Sequence, residues 1–402
     1  MVMNVRVISS GSFNLGWLIL IGLVTALGPI STDMYLPGFP AISIEFGVPH
    51  RLVQYTVTAF LTGVIIGQLL HGPVSDRVGR KIPLCTGILL YIVASIGCGL
   101  AQNIWMLIAW RFVQGVGGCA GIVIGRAMVR DRFGPNGSAR AFSLMVTVVA
   151  VAPMIAPLIG GWMAGAGWRV IFAILALFAS LLLIGVFFTI NETLPAERRV
   201  REDNLSIFGQ YRALLSCSQL LAYTVVSGLM QSALFAYVVS APFVLMEVYG
   251  IPAQYFGMVF FANTAGLIFA SQVNAAIVER FPPDRILGVA LLCPAVLSIM
   301  LITALYFGFS SLFAVLAVLF GFLVGHGFIS PNASALGLMK HGKHAGTASA
   351  VMGAVQNGLG VATIFMTSLF KITSALPLAL VMGSCSILAI ACHRLIARPA
   401  LK

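Results

Sequence analysis

Long apolar runs alternate along this chain with short polar stretches rich in arginine. About twenty consecutive apolar residues suffice for a helix to cross the hydrocarbon of a bilayer. The 402 residues contain twelve such runs, at 14–36, 53–73, 83–101, 105–127, 141–163, 168–190, 219–242, 254–276, 286–307, 310–331, 345–367 and 373–393. The second and eleventh are the least apolar, and their Gly, Gln and Thr content suits helix–helix packing or a pore face. The longest polar interruption, 191–215, separates an N-terminal set of six (1–190) from a C-terminal set (216–402). Repetition between the sets is faint: Glu279 to Arg285 echoes the loop after the second run. The pattern predicts an all-α polytopic membrane protein with twelve transmembrane helices in two six-helix halves, a common transporter plan.

Composition agrees: 59% of residues are hydrophobic and 8% charged, against about 25% charged in a soluble chain. The net charge of +12 raises nucleic-acid binding as a possibility. The basic residues, however, punctuate short loops without the interleaved aromatics that base stacking needs. They read instead as topology signals. With the N-terminus inside, nineteen of the 23 Lys and Arg residues face the cytoplasm, while Arg51, Arg169 and Lys371 face out and Arg111 lies in the membrane. Both termini are therefore expected in the cytoplasm. Seven scattered cysteines without C-x-x-C spacing give no expectation of a disulfide or metal framework, and no cofactor is expected. The first run continues into Asp33 and Pro37 without a small-residue cleavage site, and reads as an uncleaved first helix.

Within the spans, Asp33 is the only predicted acidic residue and Arg111 the only basic one. Charges there cost several kcal/mol and are retained for function, so the pair points to proton or ion coupling. At 1.5 Å per residue both lie roughly 10 Å below the outer surface, so an approach between them is geometrically open. Three segments stand out further. Gly72-Pro-Val-Ser-Asp76-Arg77-Val-Gly79-Arg80-Lys81 is a tight polar turn, readable also as a plain basic anchor. Leu107 to Gly118 places Arg111 and Gln114 on one helix face, with a purely structural arginine as the alternative. Ala152-Pro153-Met154-Ile-Ala156-Pro157-Leu-Ile-Gly160-Gly161 is a proline-bent helix with small packing residues.

Together these segments resemble the major facilitator superfamily over essentially the whole chain. Gly72–Lys81 is similar to that family's loop 2–3 motif, Leu107–Gly118 to its fourth-helix motif, and Pro153–Gly161 to its antiporter motif, with Ala156 where the first glycine usually stands. Asp33-Met-Tyr-Leu-Pro37 and Glu192-Thr-Leu-Pro195 resemble the drug:proton antiporter branch, most closely the bicyclomycin/chloramphenicol resistance (Bcr/CflA) group of bacterial inner-membrane exporters. The resemblance implies proton binding at Asp33, tuned by Arg111. It implies a cytoplasmic latch of Gly72, Asp76, Arg77, Gly79, Arg80 and Asp131, whose charge pairs favour the outward-open state and break when the inner side opens. It also implies a monomer exchanging small molecules for protons.

Met and aromatic side chains suit a pocket that accepts varied apolar ligands. Candidate lining residues are Tyr35, Gln114, Met145, Met154, Tyr237, Phe243, Phe260, Phe261, Asn263 and Gln356; their alternative is plain packing or lipid contact. His326 reads as a packed neutral histidine or a titrating one. The leading expectation is a proton-coupled exporter of drug-like molecules. A dedicated metabolite exporter and a transport-like sensor are the alternatives. An enzyme is not expected, because there is no nucleophile–base set, no H-E-x-x-H and no phosphate-binding loop.

Overall fold

The computed structural model describes residues 15–199, 216–309, 311–339, 345–370, 374–397 and 399. Most of the 191–215 linker, and Arg6, Lys340, Lys343, Lys371, Arg398 and Lys402 among the topology-setting residues, lie outside that set. Among the described residues there is no strand. Hydrocarbon offers the backbone no hydrogen-bond partner, so apolar segments satisfy their own N–H and C=O groups as helices. Among the described residues, ten helical stretches are long and apolar enough to cross a membrane. The eleventh predicted span is also helical, over Ala345–Ser368.

The first group comprises α1 (Leu15–Asp33), a 3-10 turn Leu36–Gly38, α2 (Phe39–Phe46), α3 (His50–Val78), α4 (Lys81–Gly99), α5 (Ile104–Met163) and α6 (Trp168–Thr189). The predicted first span ran to residue 36, but the helix ends at Asp33 and a separate short helix follows, since Pro37 and Gly38 interrupt it. The predicted break between spans four and five is absent from the backbone assignment: α5 is helical through both. A straight helix of that length would reach about 90 Å, yet both its ends lie beside Asp33. Gly160 abuts the Met34 carbonyl, and Ala101, just before Ile104, accepts a bond from Arg169 of the corner that also holds Glu45. The element therefore doubles back.

The second group comprises α7 (Ser218–Pro242) with a π-helical turn Phe243–Val248, α8 (Ala253–Ile277), α9 (Pro283–Ala290), α10 (Leu292–Tyr306), α11 (Leu312–Leu338), α12 (Ala345–Ser368) and α13 (Leu376–Cys392), which ends in a π-helical turn His393–Ala397.

Small residues set the closest approaches within the first group. Gly63 of α3 faces the Phe112 carbonyl of α5, and Gly115 of α5 faces that of Phe60, so neither position has room for a Cβ. Without a hydrophobic drive in lipid, such backbone contact is what holds helices together. Between groups, Gly161 of α5 meets the Ala253 carbonyl of α8, and Gly257 of α8 meets that of Pro157. The Pro153–Gly161 segment is thus the joint between the groups. Side-chain contacts across the seam gather at its Asp33 end: Gln54 Nε2 donates to the Val239 carbonyl at 3.4 Å, Tyr55 stacks on Phe365, and Phe39 meets Phe243.

Candidate coupling site and latch

Arg111 is completely buried in α5. Its guanidinium faces the rings of Phe60 at 4.4 Å, Tyr35 at 4.8 Å and Phe172 at 5.9 Å. A desolvated cation over aromatic faces gains about 2 kcal/mol or more per good contact. Nη1 donates to Gln114 Oε1 at 2.6 Å, as the i, i+3 spacing predicted, and to the Ser31 carbonyl at 3.3 Å. Gln114 passes the chain on to Ser95 Oγ at 2.8 Å, and Ser95 to the Tyr91 carbonyl. The hydroxyls of Tyr91 and Ser31 share a hydrogen bond, closing a ring through α1, α4 and α5. Nε and Nη2 of Arg111 have no hydrogen-bond partner.

Asp33 sits two residues after Ser31, and its side chain takes another direction. The turn Leu36–Gly38 that follows it packs against α7 and α8 of the second group. The Asp33 carboxylate makes no hydrogen bond or ion pair with the described residues. The expected approach of Asp33 and Arg111 is therefore realised through the α1 backbone, not as an ion pair. Tyr237 is buried, accepts a hydrogen bond from Asn263 Nδ2 at 2.8 Å, and stacks on Phe260 at 5.0 Å.

The ten candidate lining residues do not converge on one pocket. Tyr35 and Gln114 belong to the Arg111 cage, and Tyr237, Phe260 and Asn263 form a cluster in the second group. Met145 Sδ receives Thr25 Oγ1, Gln356 Nε2 donates to Ser227 Oγ at 2.7 Å, and Phe243 lies in the seam. Met154 is half-buried and Phe261 exposed. An apolar cavity of about 440 Å³ does exist, between α1, the second arm of α5 and α6, lined by residues such as Ile30, Met34, Val151, Ile155 and Phe178. None of the ten lines it. Periodicity could not have found it, because its walls are ordinary aliphatic side chains.

At the opposite end of the first group lies the predicted latch. Arg80 is buried; its Nε donates to Asp131 at 2.9 Å, and its Nη1 to Asp76 at 2.5 Å and Ser75 at 2.8 Å. Glu192, after α6, completes the cluster: it accepts the backbone N–H groups of Arg80 (2.8 Å) and Lys81 (3.1 Å), capping α4, and those of Thr193 and Leu194. That role was missed in the sequence, where Glu192 carried only the family resemblance. Arg77 is exposed and makes no ion pair with the described residues. The pairs join α3 to α5 within the first group.

Burial raises the cost of charge on Glu192, but its four backbone donors outweigh that and hold its carboxyl below the usual range. A carboxyl depressed on folding contributes stability above its unfolded value, lost as pH falls through the folded one. Glu192→Gln is therefore expected to lower the melting temperature at neutral pH, with the gap to the parent closing in acid.

Gly79 has φ +109°, and a Cβ there would lie 2.5 Å from Glu192 Oε2 and 3.0 Å from Arg199 Nη2. Gly72 has only Val123 nearby, at 3.9 Å. Gly79→Ala is expected to cost about 1–3 kcal/mol from the forced backbone, whereas Gly72→Ala is expected to be tolerated. Melting curves of the two purified variants decide this.

The second group carries a smaller cluster that sequence reasoning missed. Asp284, in the first turn of α9, accepts from Tyr223 of α7 at 3.3 Å and lies 3.0 Å from His393 Nε2. Only contact between residues far apart in sequence reveals it. His326 is buried, and its Nδ1 has no hydrogen-bond partner.

Comparison with known proteins places this arrangement. The chain is 35% identical over 380 residues to the uncharacterized MFS-type transporter YdgK of Bacillus subtilis (strain 168), covering 93% of each chain. It is 30% identical over 376 residues to a bicyclomycin resistance protein homolog of Haemophilus influenzae, covering 93% of this chain and 94% of that one. Its fold matches the crystal structure of a bacterial homolog to the human lysosomal transporter Spinster, inward-facing and unoccupied, with a TM-score of 0.71, 15% identity and coverage of 97% and 96%. A profile of the Major Facilitator Superfamily matches residues 21–365, and with the helical architecture and these relatives it establishes that the chain belongs to the Major Facilitator Superfamily of membrane transporters.

Proposed function

We propose that this transporter is a proton-coupled exporter of drug-like or amphiphilic small molecules in the bacterial inner membrane, a monomer with both termini in the cytoplasm. The observation that carries the reading is the place of Asp33. The one carboxylate of the first span ends α1 at the seam between the groups. It is unpaired among the described residues, just before the turn Leu36–Gly38 that packs against α7 and α8 of the second group. A proton or a substrate arriving there meets both groups at once, as alternating access requires. A nearby cation lowers a carboxylate's proton affinity and an apolar surrounding raises it, so a bound substrate and a proton compete for the site.

The Asp33 end is read as the outer end, and the cross-seam contacts there as the state shut to the outside. Resistance relatives such as the bicyclomycin homolog favour a drug-like cargo. Tyr35, Gln114, Met145, Met154, Phe243, Phe261 and Gln356 remain candidates for substrate contact in other stages of the cycle, and Tyr237, Phe260 and Asn263 are the foremost candidates in this one. The test is efflux of a panel of antibiotics and lipophilic dyes, chloramphenicol included, from expressing cells with and without a protonophore. Export that stops with the gradient supports the reading. Export of none of the panel by folded protein moves it to a dedicated metabolite exporter.

A further inference from the structure

At the Asp33 end a histidine from the first group reaches a carboxylate of the second. His50 begins α3, and its Nε2 lies 3.1 Å from Oε2 of Glu247 in the π-helical turn after α7. The same imidazole lies flat on Phe243, ring centroids 4.0 Å apart and planes within 7°. Phe243 is fully buried and touches Phe39 of α2 from its other neighbours' side of the seam. One side chain thus makes two contacts across the boundary that must part when this end opens.

Both contacts respond to the charge on His50. The ion pair exists only with an imidazolium, and a cation against an aromatic face is attracted by the ring quadrupole. An ordinary imidazole changes charge near pH 6.5, within the range a cell exterior spans. The surrounding groups do not compete for this role. Glu45 of α2 is held by Arg169 and Trp168. Arg51, next in sequence, is exposed. Arg111 of α5 is enclosed in its aromatic cage. Asp33 ends α1 and makes no ion pair with the described residues. The packed helices α7, α8 and α12 carry no Asp, Glu, Lys or Arg.

We infer that His50 and Glu247 form a proton-dependent clasp that holds the Asp33 end shut in acid and releases it as pH rises. Protonation strengthens the shut state alone, so the equilibrium moves toward it below the imidazole range and away from it above. The inference rests on the two groups rocking about their seam, as in the proposed function. There, with this end outside, an acidic exterior would favour closure after proton entry.

The clasp is tested by spin-label distances between Ile44→Cys on α2 and Tyr306→Cys at the end of α10, both exposed, in a chain whose seven native cysteines are replaced. Asp33→Asn is included so that its own titration cannot contribute. From about pH 5.5 to about pH 8 the ratio of short to long distance is expected to fall about fivefold, the effect of a partly exposed ion pair. His50→Gln and Glu247→Gln should each keep the alkaline ratio throughout, and His50→Lys the acid ratio. A pH dependence that survives His50→Gln overturns the clasp, as does a distance in the parent that ignores pH. Failure of drug export with the distance still responsive would count against the exporter reading and leave the clasp standing.

Discussion

Asp33→Asn is expected to abolish gradient-driven export while the protein still inserts and folds. Each proton exchanged down a gradient of one pH unit sustains about a tenfold concentration ratio, because one unit is worth about 1.36 kcal/mol. Asn has nearly the same shape and carries no proton. The substrate ratio across the membrane should therefore collapse to near one, whatever the imposed gradient. Folding is expected to survive because of what Asp33 does not do. Its carboxylate pairs with no described cation, so removing the charge orphans nothing and removes a desolvation penalty. Melting should be unchanged or slightly raised. Vesicle efflux under an imposed pH gradient checks the first part, and thermal unfolding in detergent the second. Uphill export by the Asn variant at the parent's level would remove Asp33 from the coupling role.

Arg111→Met is expected to separate stability from function as sharply. The guanidinium is buried, two of its three nitrogens lack partners, and no carboxylate approaches it. Replacing a buried charge with an apolar side chain of similar length is often neutral or stabilising. The three rings of Phe60, Tyr35 and Phe172 would pack on Met as they do on the arginine stem. Against this stand the lost cation–π and hydrogen-bond energies, so the net change in stability should stay within about 2 kcal/mol. Transport should nevertheless fall at least about tenfold, because Arg111 holds the Ser31 carbonyl, two residues before the coupling acid. Arg111→Lys should fail too: a point ammonium cannot reach Gln114 and Ser31 together while lying over three rings. Transport by Arg111→Met at the parent's rate would make the arginine a packing residue only.

The helices were legible because a bilayer allows few alternatives. Every backbone group must be satisfied within its own segment, so an apolar run of the right length is nearly a structure in itself. One exception has a local cause: Pro37 and Gly38 ended α1 early. The candidate coupling site was half legible. Charge in a span marks Asp33 and Arg111 from the sequence alone, and i, i+3 spacing gave the Arg111–Gln114 bond. What the sequence did not carry was direction: Arg111 takes the Ser31 carbonyl and leaves the Asp33 carboxylate, two residues on, unpaired among the described residues. The latch was legible as a charge pattern, but not the selection of Arg80 over Arg77, which depends on which arginine the Gly79 turn buries. Glu192 reached Arg80, and Asp284 reached His393, over more than a hundred residues, a distance that no local pattern encodes. The substrate residues were the least legible, because Met and Phe pack, face lipid or line a pocket with the same composition.

The claim at the centre of this account is that substrate and proton compete for Asp33. It is tested most directly by adding an exported compound to the purified protein in weakly buffered detergent and recording proton release. The account predicts release from the parent on binding, diminishing at alkaline pH where Asp33 is already ionised, and none from Asp33→Asn, which still binds. Equal release from both proteins would contradict it.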